Sequence, residues 1–253
     1  NRTVLSRESI NGEIMMINMI QLKQVLRNKR FLLFTIFIPV TWYIFLYNIQ
    51  QGIVPNIMLG IAVFIGIIGN SLATFSKRIS SNIGFYSFES KFTKYSVKKY
   101  LLDQTFVQII LNSLIFIVVL GIAVAFFKFP ITGNLAIQFL LLTMMGIYFS
   151  IIGFVLGVRL DSQILDTVSF PIIILASMTI IPFATLGAKE GFMGLVSKLQ
   201  MIFPGYYYTN IINSISSGKE INLTDFILFV TVFILNILPL YFLVPKVKFV
   251  KAK

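Results

Sequence analysis

Phe106 to Phe127 reads FVQIILNSLIFIVVLGIAVAFF, a run without a single charged residue. At about 1.5 Å of rise per residue, a helix of this length crosses a hydrocarbon core of about 30 Å. The run does not alternate polar and apolar positions, as a barrel strand would. A helix also satisfies its own backbone hydrogen bonds, which lipid cannot do for it. Five further stretches share this character, at about 31–47, 57–75, 135–157, 164–186 and 226–244. The first is the shortest, and the fifth is interrupted by Pro171 and Pro182. The expected fold is therefore an all-α integral membrane domain with six transmembrane helices. It occupies residues 16–253, with 1–15 read as a possible upstream segment.

Composition agrees with that reading. Hydrophobic residues make up 57% of the 253 positions and charged residues only 12%. A soluble domain carries roughly 25% charged residues, so this chain lacks the polar material for a hydrated skin. It contains no cysteine and no histidine. Disulfides, thiol nucleophiles, Cys/His zinc sites and imidazole acid–base chemistry are thereby excluded. The net charge of +12 does not point to nucleic acid, because the basic residues are spread between apolar runs instead of gathered in one patch.

Their distribution predicts orientation. With the N-terminus inside, the inner segments hold Arg2, Arg7, Lys23, Arg27, Lys29 and Arg30 before the first span. Lys77, Arg78, Lys91, Lys94, Lys98 and Lys99 follow the second span, Arg159 follows the fourth, and Lys246, Lys248, Lys251 and Lys253 form the tail. Only Lys128, Lys189, Lys198 and Lys219 of the 21 basic residues fall outside. Basic residues favour the cytoplasmic side, so both termini are expected in the cytoplasm. No apolar core followed by a small-residue cleavage site precedes Phe31, and no cleavable leader is expected there.

Three segments are not simple spans. Residues 16–30 place Met16, Met19, Ile20, Leu22 and Leu26 on one side and Asn18, Gln21, Lys23, Gln24 and Arg27 on the other. That pattern predicts a helix lying in the membrane interface. After the second span, Phe85, Phe88, Phe92 and Tyr95 recur at helical spacing among Glu89, Lys91 and Lys94. Such a short cytoplasmic helix can dock into a partner's groove or pack on the membrane surface. The stretch from about 187 to 225 is too apolar for a solvated loop and too broken for a span. A re-entrant or interfacial helical pair fits it, broken at Pro204-Gly205 and anchored by Tyr206, Tyr207 and Tyr208. Within the spans, Gly146, Ser150, Gly153 and Gly157 line one helical face for close packing. Gly66, Gly69, Asn70, Ala73 and Thr74 form a second small strip that can pack or line a cavity.

The spans hold almost no ionisable residue, which argues against a proton-coupled carrier, a voltage sensor or a membrane hydrolase. Gly218-Lys219 is followed by Glu220 and preceded at the P-loop spacing by Asn213. A phosphate-cradling loop needs Gly before it and Ser or Thr after the Lys, so no nucleotide site is expected. Any ATP, with its Mg²⁺, would be held by another chain.

The layout resembles that of the ABC-2 type permeases, membrane subunits of ATP-binding-cassette exporters, from Met16 to the C-terminus. Leu26-Arg27-Asn28-Lys29-Arg30 resembles the family's basic approach to its first span. Gly84 through Lys99 resembles its coupling segment, although Ser80, Ser81 and Asn82 stand where acidic residues are usual. Phe203-Pro204-Gly205-Tyr206-Tyr207-Tyr208 resembles its Pro-aromatic signature before the last span. The resemblance implies the ABC-2 exporter fold, a second permease as homo- or heterodimer partner, and an ATPase bound through Phe85, Phe88, Glu89, Lys91, Phe92 and Tyr95. It implies a substrate path past Asn70, Thr74, Thr167, Phe170 and Thr179, and an outer gate at Phe203, Pro204, Tyr206 and Tyr207. An amphipathic or hydrophobic cargo and a bacterial plasma-membrane location are further implications. Within the family the chain is similar to phenol-soluble modulin exporter permeases. The competing expectations are a self-sufficient carrier or channel, and a membrane scaffold or sensor subunit.

Overall fold

A computed structural model of the chain describes residues 23, 27–49, 54–92, 97–181, 183, 191–220 and 222–243. These residues form helices and their connections, with no strand among them. Four described helical stretches are long and apolar enough to cross a membrane: Pro55–Gly84, Tyr100–Phe127, Asn134–Arg159 and Leu223–Leu240. Two more, Leu33–Ile49 and Ser162–Ser177, are apolar but shorter. The helix expected over 16–30 lies mostly outside the described residues.

Helix α1 runs over 29–49 and contains a π-helical segment at Leu33–Phe37. Pro39 follows that segment after one residue, Ile38. In a regular α-helix its ring would meet the carbonyl four residues back, and a widened turn relieves that clash.

Helix α2 runs unbroken over 55–92, as Pro55–Gly69, a π segment at Asn70–Phe75, and Ser76–Phe92. Pro55 occupies the first turn, where a missing N–H costs nothing. The sequence predicted a span and then a separate cytoplasmic helix. The structure joins them, because between Phe75 and Phe92 only Gly84 weakens the helix and no proline breaks it.

This helix is the axle of the bundle. Ninety-four per cent of its most apolar stretch is buried, against 6% for the last helix. A helix that is apolar all round belongs inside. Its glycines let neighbours approach from several sides. A Cβ on Gly60 would overlap the Tyr208 hydroxyl, one on Gly66 would lie 2.5 Å from Pro39 Cγ and 2.9 Å from Ile115 Cγ2, and one on Gly69 would overlap the Phe34 ring.

Helix α3 is Val97–Phe127 and α4 is Asn134–Arg159. Both pack along α2, α4 through its stripe of small residues. A Cβ on Gly153 would overlap the Ser71 carbonyl oxygen, and one on Gly157 would overlap that of Ser76. Helix α5, Ser162–Ser177, stops well short of the expected end of the fifth span at 186. It is followed by tight turns in which Thr179 N–H bonds Ala176 O and Ile180 N–H bonds Ser177 O. Pro182 lies outside the described residues.

Two short helices follow, α6 over Gly191–Gln200 and α7 over Pro204–Ser216. They are separated just before Pro204, where the sequence placed the break. Gly218, at φ 67°, closes α7: its N–H reaches Ile215 O, and Lys219 N–H reaches Ser214 O. Glycine is favoured there because the turn needs a left-handed residue. Gly218-Lys219 is thus a helix cap. Helix α8, Leu223–Leu243, lies against α7 and α4 and turns most of its surface outward.

Candidate functional site

The apolar interior contains a polar seam between α2 and α3. Asn70, Thr74 and Arg78 descend α2 one turn at a time, and Gln104, Gln108 and Asn112 ascend α3 with the same spacing. The helices are antiparallel, so the residues face one another in three rungs. Asn70 Nδ2 donates to Asn112 Oδ1 at 3.1 Å. Arg78 Nη2 donates to Gln104 Oε1 at 3.2 Å, with its guanidinium 5.2 Å from the centre of the Phe75 ring. Thr74 and Gln108 form the middle rung.

The seam coincides with the π segment Asn70–Phe75, a helix irregularity frequent at functional sites. Ser71 Oγ lies 3.4 Å from Ser150 Oγ on α4, and Ser150 Oγ donates to Gly146 O at 2.6 Å. Gly146 leaves room for Asn112, whose Nδ2 would be 2.5 Å from a Cβ at that position.

At the end carrying Lys77 and Arg78, α2 is fastened to the α4–α5 corner. Lys77 Nζ meets Asp166 Oδ2 at 2.5 Å, and Ser80 Oγ donates to Leu160 O at 2.8 Å. Arg159 donates to Leu243 O at the end of α8 through Nη2 at 3.0 Å and Nε at 3.3 Å.

At the opposite end, Gln138 Nε2 donates to Asn56 O at 2.7 Å and to the Tyr208 hydroxyl at 3.3 Å. Tyr208 also stacks on Phe64, with ring centres 6.4 Å apart. Phenylalanine at 208 is expected to lower stability by about 1 kcal/mol, since the ring still fits and one buried hydrogen bond goes. Thermal unfolding followed through Trp42, the only tryptophan, measures this; an unchanged midpoint would show the hydroxyl to be idle.

The broken ends of α5 and α6 are finished by side chains. Gln200 Nε2 donates to Met178 O and, at 2.7 Å, to Ile181 O. Thr209 Oγ1 donates to Ile180 O at 2.9 Å, and Asn236 Nδ2 donates to Ile202 O at 2.9 Å.

The residues that the family resemblance set along one path lie on two helices in contact, α2 and α5, and just beyond α5. Asn70 and Thr74 are buried in the seam. Thr167 and Phe170 lie on the outer face of α5, with Phe170 70% exposed. Thr179 is half-buried beyond the end of α5, its hydroxyl donating to Ala176 O at 2.7 Å. Phe203, Tyr206 and Tyr207 are half-buried and Pro204 is buried, all at the start of α7. The Tyr206 and Tyr207 rings meet edge to face at 5.2 Å. Phe85, Phe88, Glu89, Lys91 and Phe92 lie on the last turns of α2, but their side chains lie outside the described residues, as does all of Tyr95.

Sequence reasoning missed Gln104, Gln108 and Asn112, although their spacing of four inside an apolar run was the signal. It also missed Gln138, Gln200 and Thr209, whose partners are distant in sequence. Among the described residues no cluster of Asp or Glu could hold a metal ion. Set against known protein families, curated proteins and solved structures, the chain matches none.

Proposed function

We propose that this chain is the membrane subunit of an ATP-driven exporter, powered by a separate ATP-binding-cassette ATPase. The observation that carries the reading is the continuity of α2. The helix at the centre of the bundle extends without a break into a polar, aromatic segment ending at Phe92. A partner gripping that extension would act directly on the most buried helix. Lys77–Asp166 and Ser80–Leu160 would pass its movement to α5. The chain's own Gly-Lys pair serves as a helix cap, which is consistent with nucleotide chemistry residing in the partner.

In this reading the protein sits in a bacterial plasma membrane with both termini in the cytoplasm, following its basic residues. A second permease, identical or not, pairs with it. The exposed apolar face of α5 around Phe170 suits an amphipathic or hydrophobic cargo.

The test is copurification from the native membrane. A separate ATPase without spans of its own should accompany the chain. Phe88→Ala with Phe92→Ala should weaken that association by more than about tenfold, as loss of aromatic anchors does. Retention of both binding and export in the double variant would sink the coupling assignment. Ion-gradient-driven uptake by the purified chain alone would favour a self-sufficient carrier instead.

A further inference from the structure

The middle rung of the seam differs from the rungs beside it. Asn70–Asn112 and Arg78–Gln104 close with direct hydrogen bonds. Between them, Thr74 Oγ1 and both Gln108 side-chain atoms, Nε2 and Oε1, are buried and have no hydrogen-bond partner among the described residues. Gln108 is 1% exposed and Thr74 5%. The cause is reach. A threonine hydroxyl stands closer to its backbone than an asparagine amide or an arginine guanidinium, so the rung falls short.

A third helix brings a further group of the same kind. Thr35 Oγ1 on α1 is buried and unpartnered too. Thr35 lies about one turn beyond Phe31, which packs on Val107 and Leu111. Those two residues flank Gln108 on α3. Thr35 therefore stands a turn from Gln108, at the height of the Asn70–Asn112 rung, and the middle rung itself holds three unpaired polar atoms from two helices.

We propose that Thr74 and Gln108 bind one ordered water molecule that bridges α2 and α3. The chemistry selects the ligand. A cation would face the Gln108 NH2 donor. An anion would face Gln108 Oε1 and find no positive charge at this rung, because Arg78 is a turn away, with Nη2 on Gln104, the guanidinium beside Phe75 and Nε buried without a partner. What fits is neutral, small, and both donor and acceptor. Water in a buried site makes two to four such bonds, and these atoms supply that number. The site does not depend on the transport reading.

The test uses the full chain in lipid bilayers. Solid-state NMR with magnetisation transfer from water should give a cross-peak at the Gln108 side-chain NH2, identified by its loss in Gln108→Met. Thr74→Asn, whose amide reaches further, should displace the water and remove the cross-peak while keeping the chain folded. Gln108→Met is nearly isosteric and should lower the Tm by about 2–4 °C. Thr74→Val should do the same, and the pair together should lower it by less than the sum, since both act on one bridge. Absence of the cross-peak in the parent overturns the proposal. So does a rise in Tm for Gln108→Met, the result expected when an unpaired buried polar group is simply removed.

Discussion

Gly153→Leu is expected to abolish the folded bundle, leaving no monodisperse protein after extraction in mild detergent. At this position α4 lies against the π segment of α2. Even a bare Cβ would overlap the Ser71 carbonyl oxygen and stand 3.1 Å from its carbon. The obstacle is backbone, and Ser71 is itself held beside Ser150, so a rotamer change cannot relieve it. Helices in lipid associate through close van der Waals contact, which small residues permit; a leucine here forces α4 away along the whole seam. Gly153→Ala is the graded form. Overpacking costs about 1–3 kcal/mol, and the better helix propensity of alanine returns at most about 1 kcal/mol. The Tm should therefore fall. Gly121→Ala on α3 is the control, because nothing lies within 4 Å of a Cβ there. It should leave the Tm unchanged or raise it by a few degrees. Equal stability of Gly153→Leu and the parent would mean that α4 does not pack on α2 as described.

The contrast between these two glycines shows what the sequence exposed. Gly146, Ser150, Gly153 and Gly157 advertise a packing face through spacing alone, and that face meets α2 at Ser71 and Ser76 and α3 at Asn112. Gly121 belongs to no such stripe and packs on nothing. Apolar runs located the helices, but they mark where lipid is tolerated and not where hydrogen bonding stops. The run beginning at Phe106 therefore continues backward as helix to Val97, through Asp103 and Lys99, and α2 continues forward to Phe92. The opposite error occurs in α5. Its apolarity persists towards Leu186 while its regular helix ends at Ser177, because Gln200 and Thr209 supply hydrogen bonds that the helix would otherwise have to make for itself. The seam was hidden for a related reason. Asn70 and Thr74 were visible as weakly polar positions, but a residue that lines a path and one that pairs with Asn112 or faces Gln108 look alike until the partner helix is in place.

Gln200→Met should be the most damaging change of a polar side chain outside the seam. Backbone at membrane depth must have every carbonyl satisfied by protein or by water in a cavity. Helix α5 ends early and leaves the carbonyls of Met178 and Ile180 without a backbone N–H donor, while Ile181 O receives that of Phe183. Gln200 serves Met178 O and Ile181 O, and Thr209 serves Ile180 O. Gln200 is itself buried, at 5% exposure, so methionine fills its volume without donating. Two lost hydrogen bonds and one stranded carbonyl, Met178 O, should cost about 2–4 kcal/mol, Ile181 O keeping the Phe183 N–H. In a chain of this size that corresponds to a Tm lowered by roughly 5–15 °C. Thr209→Val strands only Ile180 O and should cost about half as much. The two should not add, since each frees the same chain end to rearrange. Hydrogen exchange locates the effect. The amides of Met178, Thr179 and Ile180, bonded to Ile174, Ala176 and Ser177, should lose protection in Gln200→Met before those of α2 do. Unchanged exchange there, with an unchanged Tm, would mean that these carbonyls find other partners and that α6 and α7 are held for another reason. If the loss is seen, the α6–α7 pair is what allows α5 to end at Ser177 in an apolar stretch, with side chains from both short helices finishing the carbonyls that a longer helix would have bonded for itself.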